Sequence, residues 1–539
     1  MIKYIKNSLI LFLLTLFSVV LFACDDDSNN SNSTKFTSIT YQGIKSVDDI
    51  NVYHSEVRKN GKNNDDPVEN GVVNCPYYTL KINGIDVPVY STRCAESVHS
   101  FVWIDVDKNE TSIELNVELT LKKSHKNVVV LPEKSGVLAN LEGNVVTATI
   151  NDLGSFSFAF DKKVEEALTI YVAKEEQLNA PSSYSKIEFS PETYSSSDTS
   201  FSEEETVYYF KKGVYEISSI SIPSNSVLFF ESGSYINVVP ESEKDNLSAL
   251  RSTNTENIKI CGRAVFDFSS CQGGNSKIKG VYNFHNVSDI KLSGNIVINS
   301  NNWSICFTDC DNVLVDRNMC LGYRTYSDGI MLSDCQDSIV RNNFVRTGDD
   351  AIEVKSTGTE STENLVYENN AVWTDKARAY GCIYECNNSV KNVVFKNNSV
   401  GFALATWAEF LGCCTINMGD RRTTTWQDVH FENIEIYISY HALINITLSD
   451  SVNSGIGGGK AKDIYFENIS AYRAYGRALY VYVENGSSLG KIYLDNINFN
   501  GETLESNDLK TSDFVSIIHY SPSWSITSNI QVNFLSGQE

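Results

Sequence analysis

The sequence predicts an all-β protein in which a β-solenoid follows a β-sandwich domain. From Asn257 onward, a short phrase of polar, apolar and Asn residues recurs nine times at intervals of 23 to 36 residues. One such repeat cannot bury its apolar side alone, but stacked repeats bury a continuous core. The earlier part of the chain carries short alternating runs separated by turn residues, which is typical of a sandwich.

The first 23 residues predict a signal peptide rather than a part of the fold. Lys3 and Lys6 precede an apolar run that extends from Leu9 to about Phe22, which is the pattern of a secretion signal. The alternative is an uncleaved membrane anchor, although the run is short for a helix that spans a membrane.

The small residue before Cys24 resembles the lipobox of bacterial lipoproteins. This resemblance implies that Cys24 becomes the lipidated N-terminus of the mature protein. In residues 24–35, three Asp follow Cys24 and the next residues are rich in Ser and Asn, so we expect a solvated tether. An acidic stretch directly after the lipid resembles export signals of surface lipoproteins in Gram-negative bacteria. The expected location is therefore the outer membrane, exposed on the cell surface.

Residues 36–182 are predicted to form the β-sandwich. Alternating apolar and polar residues occupy 78–82, 112–117 and 145–150. The following segment, 180–205, is rich in Ser, Thr and Pro and predicts a connection. The solenoid is predicted to cover residues 183–539. The alternatives for its repeats are an antiparallel sandwich or a propeller, although a propeller blade would need four strands in each repeat.

The overall charge and the cysteines argue against several classes of function. A formal net charge of −23 disfavours binding to nucleic acid or to an anionic membrane, and it makes a polyanionic glycan an awkward substrate. Thirteen cysteines are present, but their spacing does not match a zinc site. Cys75 with Cys94 and Cys261 with Cys271 could form disulfides. We expect most of the others, apart from the lipidated one, to be buried thiols.

Two segments about one coil apart carry the candidate chemistry. Aligned on Ile330 and Ile352, they place Asp328 level with Asp350, which lies 22 residues later, with Asp349 beside it. Adjacent strands of a sheet lie roughly 4.8 Å apart. The three carboxylates should therefore form a cluster on the wall of the solenoid.

Strand alternation requires a bend at this cluster. Because Ile352 faces the core, strict alternation would bury Asp350 as well, and an unpaired buried carboxylate costs several kcal/mol. A bend just before the Ile, for which Gly329 and Gly348 are suited, puts the Asp residues on the outer wall with Glu353. At least one carboxyl pKa should then rise, which provides a general acid beside a carboxylate base. The alternatives are an Asp ladder at a turn and a calcium site.

Asp-Gly followed one coil later by Gly-Asp-Asp-Ala-Ile resembles the catalytic region of β-helix glycoside hydrolases. These include polygalacturonase-like, dextranase-like and β-helix α-galactosidase-like families. The resemblance implies a right-handed parallel β-helix of the pectin lyase-like fold. It also implies inverting hydrolysis by Asp328, Asp349 and Asp350, without a cofactor, and either Asp328 or Asp350 is expected to be the acid.

The same region departs from the pectin-cleaving members of these families. Those members carry Gly-His-Gly and Arg-Ile-Lys motifs, whereas this chain has neither, and Tyr380-Gly381-Cys382 stands in place of the first. The expected substrate is therefore a neutral poly- or oligosaccharide. The competing interpretations are a β-helix polysaccharide lyase, with Lys355 or Arg378 as the base, and a glycan-binding solenoid without activity.

Further side chains are expected to bind sugar hydroxyls or to hold the carboxylates in place. Aligning Ile383 with Ile352 places Tyr384 level with Glu353, and it places Tyr380 beside the Asp cluster. The predicted substrate-binding residues are Glu353, Lys355, Lys376, Arg378, Tyr380, Tyr384, Glu385 and Trp407. For the charged members, a surface ion-pair network is the alternative. We predict no metal and no nucleic acid, and contact with a membrane only through the lipid.

Overall fold

The computed structural model describes residues 34–57, 65–95, 97–195, 199–239, 248–273, 282–358, 360–408, 411–418, 424–449, 459–520 and 525–533. The predicted signal peptide, Cys24 and nearly all of the tether lie outside these residues. Within the described ranges, no helix is long and apolar enough to cross a membrane.

A β-sandwich forms the N-terminal domain. Its elements are β1 (Phe36–Ser38), β2 (Lys45–Ser46), α1 (Ile50–Val57), β3 (Val72–Asn74), β4 (Tyr78–Ile82), β5 (Ile85–Val87), β6 (Tyr90–Cys94), β7 (Ser97–Val106), β8 (Leu115–Leu121), β9 (Val128–Leu131), β10 (Ala139–Glu142), β11 (Val145–Ile150), β12 (Gly154–Phe160) and β13 (Ala167–Lys174). One sheet has the order β2-β3-β6-β7-β13-β12-β9, with β1 paired to β7, and the other has the order β10-β11-β8-β4-β5. Leu119 and Ile170, from opposite sheets, share one apolar core.

The rest of the chain winds into a solenoid of short strands. These strands are β14 (Ser185–Phe189), β15 (Thr193–Tyr194), β16 (Thr206–Phe210), β17 (Val214–Ile217), β18 (Ile220–Ser221), β19 (Ser226–Val238), β20 (Leu250–Asp267), β21 (Tyr282–Ser293), β22 (Ile296–Ile298), β23 (Ile305–Thr308), β24 (Asp311–Asp316), β25 (Met319–Leu321), β26 (Ile330–Ser333), β27 (Gln336–Arg341), β28 (Phe344–Thr347), β29 (Ile352–Ser356), β30 (Thr362–Glu368), β31 (Ala371–Thr374), β32 (Tyr380–Cys386), β33 (Val390–Lys396), β34 (Ser399–Ala403), β35 (Gly412–Met418), β36 (Thr425–Ser439), β37 (Ala442–Leu448), β38 (Lys460–Ala474), β39 (Leu479–Val483), β40 (Ser488–Leu489), β41 (Ile492–Phe499), β42 (Glu502–Thr503), β43 (Val515–His519) and β44 (Ile530–Asn533). Two one-turn helices, α2 (Asp508–Thr511) and α3 (Ile526–Asn529), lie near the end.

Each coil contributes one strand to a sheet that we call the front sheet, with the order β23-β26-β29-β32-β35-β37-β39-β43. Ile330 pairs with Ile352 in this sheet, and Ile352 pairs with Tyr380. Within the described residues, the strands of the solenoid pair in parallel, except for β41 with β42. The predicted fold class, an all-β chain with a right-handed parallel β-helix behind a β-sandwich, is confirmed.

Buried asparagines form a ladder along one corner of the β-helix. The backbone N and side-chain Nδ2 of Asn343 both donate to Oδ1 of Asn370, at 3.0 and 2.9 Å. Asn370 donates in the same way to Asn398, at 2.8 and 3.1 Å. Each of these amides also donates to a backbone carbonyl of an earlier coil. The ladder satisfies the polar groups at a corner where strand pairing is interrupted.

The sandwich is fixed to the side of the β-helix by aromatic and charged contacts. Trp103 stacks on Tyr171 at 4.2 Å in an apolar cluster that includes residues of β25 and β28. Nη1 of Arg346, a fully buried side chain of the β-helix, lies 3.0 Å from Nδ1 of His99 in the sandwich. The same guanidinium group donates to both carboxylate oxygens of Asp375, at 2.8 and 3.2 Å.

The described cysteines are free thiols, and all but Cys75 are buried. The two disulfides considered from the sequence, Cys75–Cys94 and Cys261–Cys271, are therefore wrong. The Cys271 thiol instead donates to the backbone carbonyl of Val238 at 3.4 Å. The expectation of buried thiols in a stacked core holds for these cysteines.

Replacing Asn370 with Ala is expected to lower the free energy of unfolding by about 2–4 kcal/mol, because buried donors and acceptors of two neighbouring coils lose their partner. Denaturant unfolding followed by circular dichroism measures this change. The matched control is Asn364→Gly, on an exposed ladder where Asn364 has a φ of 59°. Glycine tolerates this backbone conformation, so the control should lose about 1 kcal/mol or less. Equal losses in the two variants would contradict a special role for the buried ladder.

Candidate active site

Three charged side chains stand one above another at the turn that leads into the front sheet. Asp328, Asp350 and Arg378 occupy this turn in successive coils, two residues before β26, β29 and β32 respectively. The backbone N of Gly329 donates to the Asp350 carbonyl at 2.8 Å, and Ala351 N donates to the Arg378 carbonyl at 2.9 Å. The structure thus places Asp328 level with Asp350, as the alignment predicts.

Two glycines allow the coils to approach closely at this turn. A Cβ atom at Gly329 would lie 2.2 Å from the Ala351 carbonyl oxygen, and one at Gly348 would lie 2.1 Å from the Arg324 carbonyl oxygen. Neither glycine has a positive φ. Close contact between coils, rather than a special backbone conformation, is therefore the reason for glycine here, which corrects the explanation derived from the sequence.

The carboxylates of Asp328, Asp350 and Glu353 converge in a buried cluster. One oxygen atom from each lies within 4.8 Å of the others, and the three residues are 5%, 4% and 0% exposed. Asp349 lies beside the cluster and is only half-buried. Its Oδ2 accepts a hydrogen bond from the backbone N of Tyr326 at 3.2 Å.

Arg378 holds Asp350 in a fixed orientation. Its Nη1 donates to the two oxygens of that carboxylate at 3.1 and 2.9 Å, and its backbone N donates to Oδ1 at 2.8 Å. Both residues are buried. Charge-assisted hydrogen bonds of this kind are stronger than neutral ones, so the Asp350 carboxylate cannot rotate without losing them.

Lys355 connects the buried cluster with the rim of the site. Its Nζ lies 3.2 Å from Glu353 Oε2 and 2.6 Å from Glu385 Oε2, and it sits 4.8 Å above the ring of Trp303. Glu385 is partly exposed, whereas Lys355 and Glu353 are buried. Three predicted binding residues are therefore joined in one ion-pair chain, which holds the carboxylates in place.

Burial and mutual repulsion raise the pKa values of several carboxyl groups. Burial raises the pKa of Asp328 well above its usual range, and the neighbouring Glu353 and Asp349 raise it further. Burial raises the pKa of Glu353 to about 8, although Lys355 opposes this shift. Burial and the charge of Asp350 raise the pKa of Asp349 to about 6. The cluster therefore retains protons near neutral pH, which is what acid–base chemistry requires.

The oxygens of Asp328, Asp350 and Glu353 are close enough together to hold a metal ion. However, Lys355 already lies 3.2 Å from Glu353, and Arg378 lies 2.9 Å from Asp350. Lys355 and Arg378, both buried, thus supply the positive charge that a divalent cation would otherwise supply to these carboxylates. This charge distribution fits acid–base chemistry better than the calcium site considered from the sequence.

The register predicted for the coil after Asp350 is wrong by three residues, because Ile352 pairs with Tyr380 and not with Ile383. Tyr380 consequently faces the core and is fully buried. Its hydroxyl group lies 2.9 Å from two backbone carbonyl oxygens, so the prediction that it binds substrate is also wrong. The side chain of Tyr384 lies outside the described residues.

Lys376 and Trp407 lie on turns that border the site. Trp407 Nε1 donates to the backbone carbonyl of Lys376 at 2.6 Å, and Trp407 is 63% exposed. Lys376 precedes Arg378 by two residues and is partly exposed. The structure therefore brings both predicted residues to the rim, where Trp407 presents an aromatic surface to solvent.

The sequence analysis misses three side chains near the site, namely Trp303, Tyr326 and His441. Trp303 precedes β23 by two residues, so it occupies the same place in its coil as Asp328 does in the next. Tyr326 has a left-handed φ of 62°, and His441 is a buried residue just before β37. The coil alignment identifies Trp303, whereas no sequence pattern identifies the other two.

Comparisons with known proteins agree with the fold. The model of glycosyl hydrolases family 28 matches residues 217–516. Dex49A from Penicillium minioluteum superposes with a TM-score of 0.66 at 10% identity, covering 93% of this chain and 99% of that one. A hyperthermoactive exopolygalacturonase from Thermotoga maritima gives a TM-score of 0.48 at 16% identity, covering 61% of this chain and 84% of that one. No curated protein matches the chain. The predicted resemblance to β-helix glycoside hydrolases is confirmed.

We expect Glu353 to make the protein less stable as the pH rises. Its pKa is about 8 in the folded protein, compared with an ordinary value of 4.5, so the folded state keeps a proton that the unfolded state releases. The stabilisation is complete below the unfolded pKa and is lost as the pH rises through the folded pKa. Thermal unfolding at about pH 5 and pH 8 measures the effect, which amounts to a few kcal/mol.

The variant Glu353→Gln is neutral at both pH values and should lose less stability between them than the parent protein. Glu363→Gln, at a half-exposed position of β30, is the matched control and should behave like the parent. If the parent and Glu353→Gln lost the same stability over this pH range, the pH dependence would not come from the proton that the folded protein keeps on Glu353.

Proposed function

The chain belongs to glycosyl hydrolases family 28 and is a glycoside hydrolase, and we propose that its substrate is a neutral poly- or oligosaccharide that it cleaves with inversion. Asp349 is the proposed general acid and Asp350 the proposed base. The observation that carries the choice of substrate is the pairing of the two buried cations of the site, Lys355 and Arg378. Lys355 contacts two glutamates, and Arg378 contacts Asp350.

The outer face of the front sheet supports a neutral substrate. In the coils that follow Glu353, the equivalent positions are Gly381, Thr415 and Asn445. None of these three residues carries a positive charge, and Thr415 and Asn445 are fully buried. A uronate buried against them would have no cation to compensate its carboxylate, which is costly.

The position of Asp349 supports its role as the acid. It is the least buried of the three aspartates, and its pKa of about 6 keeps part of the population protonated near neutral pH. Acid and base of inverting enzymes are usually about 6.5–9.5 Å apart. The oxygens of Asp328 and Asp350 approach within 4.8 Å, so these two residues do not form a suitable pair. Because Asp349 combines the greatest exposure of the three aspartates with a pKa of about 6, we assign the acid to it instead of to Asp328 or Asp350.

In the proposed reaction, Asp349 donates its proton to the glycosidic oxygen while the bond from that oxygen to the anomeric carbon breaks. Asp350 accepts a proton from a water molecule, whose oxygen attacks the anomeric carbon from the opposite face. The product has the inverted configuration, and proton exchange with solvent restores both carboxyl groups. Arg378 orients Asp350. Asp328 and Glu353 share a retained proton, and this protonated carboxyl group orients the water or a sugar hydroxyl.

Incubation with a panel of neutral and acidic polysaccharides tests the proposal. We expect reducing ends from a neutral glycan without an increase in ultraviolet absorbance. The variant Asp350→Asn should lose activity by at least about a thousandfold, because the base is removed. The control Asp337→Asn changes an exposed aspartate whose φ of 47° suits asparagine, and it should stay active. Cleavage of polygalacturonate alone would refute the neutral substrate, and an absorbing product would indicate a lyase.

The assignment of the two aspartates can be separated with an aryl glycoside of the sugar that the panel identifies. A leaving group that needs no proton should restore activity to Asp349→Asn but not to Asp350→Asn. Proton NMR at early times should show the product anomer opposite to that of the substrate. A product of retained configuration would contradict the mechanism.

We also propose that the protein is a lipoprotein of the outer membrane, exposed on the cell surface. The support is the sequence around Cys24, which follows an apolar leader and precedes three Asp. Expression of Cys24→Ser should abolish labelling by radioactive palmitate and should shift the protein from the membrane fraction to the soluble fraction. Unchanged labelling of the variant would contradict lipidation at this residue.

A further inference from the structure

We propose that the N-terminal sandwich positions the general acid: it holds the turn 322–327, and this turn fixes the side chain of Asp349. The inference rests on the proposed function, because Asp349 is the proposed acid. The turn leads from β25 towards β26 and ends directly before Asp328. Since β25 contributes to the apolar cluster that joins the two domains, the turn connects the face covered by the sandwich with the site.

Arg324 anchors the turn to both domains, and its side chain is fully buried. Nη1 donates to the backbone carbonyls of Phe268 and Asn299 at 3.1 and 3.3 Å. Nη2 donates to the carbonyls of Ser269 and Asp66 at 2.9 and 3.5 Å. Asp66 belongs to the sandwich, whereas the other three belong to the β-helix. A buried guanidinium group cannot give up such bonds without a large loss of free energy.

The sandwich segment before β3 holds the same place with its main chain. Val68 N donates to the Ser269 carbonyl at 2.7 Å, and this carbonyl also accepts from Arg324. Gly273 N donates to the Asp65 carbonyl at 2.8 Å. The partners of Arg324 in the two domains are therefore bonded to each other.

Arg93, in β6, is a sandwich side chain that lies directly on the turn. Its guanidinium carbon is 4.8 Å from the ring centre of Tyr323, which is fully buried. A cation at this distance from an aromatic ring is attracted to it. The sandwich thus holds the turn at two adjacent residues, Tyr323 and Arg324.

Ser327 links the anchored turn to the next coil. Its buried Oγ donates to the Arg324 carbonyl at 2.7 Å and accepts from Gly348 N at 3.1 Å. Between these anchors, Tyr326 has a left-handed φ of 62°, which a bulky residue adopts only where its surroundings impose it. In this conformation Tyr326 N donates to Asp349 Oδ2 at 3.2 Å. The anchors on either side therefore aim this N–H group at the proposed acid.

The bond from Tyr326 acts on the orientation and the proton affinity of Asp349. Oδ1 of Asp349 accepts from Asp350 N at 3.1 Å, so both oxygens are held and the carboxyl plane is fixed. The Tyr326 bond stabilises the ionised form and opposes the rise in pKa that burial and Asp350 cause. The other charged groups around Asp349 are Arg378, Lys355 and Asp328. Loss of the bond should raise the pKa of Asp349 and leave its carboxyl group free to rotate.

Ser327→Ala tests the link, and Ser338→Ala is the matched control. Ser338 is also buried, and its Oγ makes an equivalent pair of bonds in β27. It donates to the Gln336 carbonyl at 2.6 Å and accepts from Val313 N, in the preceding coil, at 3.0 Å. Because each variant removes one hydroxyl that bridges two coils, both should lower the melting temperature by similar amounts. Only Ser327→Ala should affect Asp349.

Carbon-13 NMR of protein labelled at the aspartate carboxyl groups measures the pKa of Asp349 without a substrate. The signal is assigned by its absence from Asp349→Asn, and in the parent it should titrate near pH 6. Ser327→Ala should move this midpoint upward by about half a pH unit or more, whereas Ser338→Ala should leave it unchanged. Arg93→Leu, which changes only the sandwich, should move it in the same direction by a smaller amount.

The kinetic consequence is measured on the polysaccharide that the panel identifies, whether neutral or acidic. Ser327→Ala should lower kcat by about tenfold with little change in KM, and the upper pH limit of kcat should rise with the pKa of the acid. Equal titrations of Ser327→Ala and Ser338→Ala would overturn the proposal, and an unchanged titration of Arg93→Leu would overturn the role of the sandwich. Full activity of Asp349→Asn, with the expected shifts in the titrations, would refute the proposed function but not the positioning of this side chain.

Discussion

Hydrogen bonding between successive coils is the constraint on which the site depends. The parallel pairing of Ile330, Ile352 and Tyr380 fixes the spacing of the turns just before them, where Asp328, Asp350 and Arg378 stand. No single loop has to fold precisely for these groups to meet, because the backbone ladder sets their separation. The glycines at the same turn are needed for this close approach. The geometry of the candidate site thus follows from the repeat that builds the core.

The same stacking brings carboxylates close together, and neighbouring groups compensate their repulsion. Three carboxylates converge where strands lie one coil apart, and burial makes their joint ionisation unfavourable. Arg378 and Lys355 compensate part of this charge, and retained protons compensate the rest. The cations are consequently occupied by the enzyme's own acids. Lys355 and Arg378 serve this purpose and are not available to an anionic sugar, which links the proposed acid–base chemistry with the proposed neutral substrate.

The sequence is sufficient to predict those parts of the molecule that follow the repeat. The recurring phrase predicts the β-helix, and the alignment on Ile352 places Asp328 level with Asp350. The next alignment fails because Ile383 is as suitable for the core as Tyr380, and only the Ala that precedes both Ile352 and Tyr380 marks the true register. Side chains from irregular turns, such as Tyr326 and His441, follow no period. Their positions depend on tertiary packing, which a periodic pattern does not contain.

The attachment of the sandwich has a consequence for how the chain folds. Residues that are made first contact residues that are made much later: the backbone N of Glu133 donates to Glu435 at a separation of 302 residues, and His99 meets Arg346 at a separation of 247. Contacts this distant in sequence slow folding and cannot form during early synthesis. Trp103, which lies under Arg263, can be covered as soon as the first coils have stacked, whereas the contact of Glu133 with Glu435 has to wait until β36 is made. The sandwich is therefore attached to the β-helix in steps, from the first coils to the late ones.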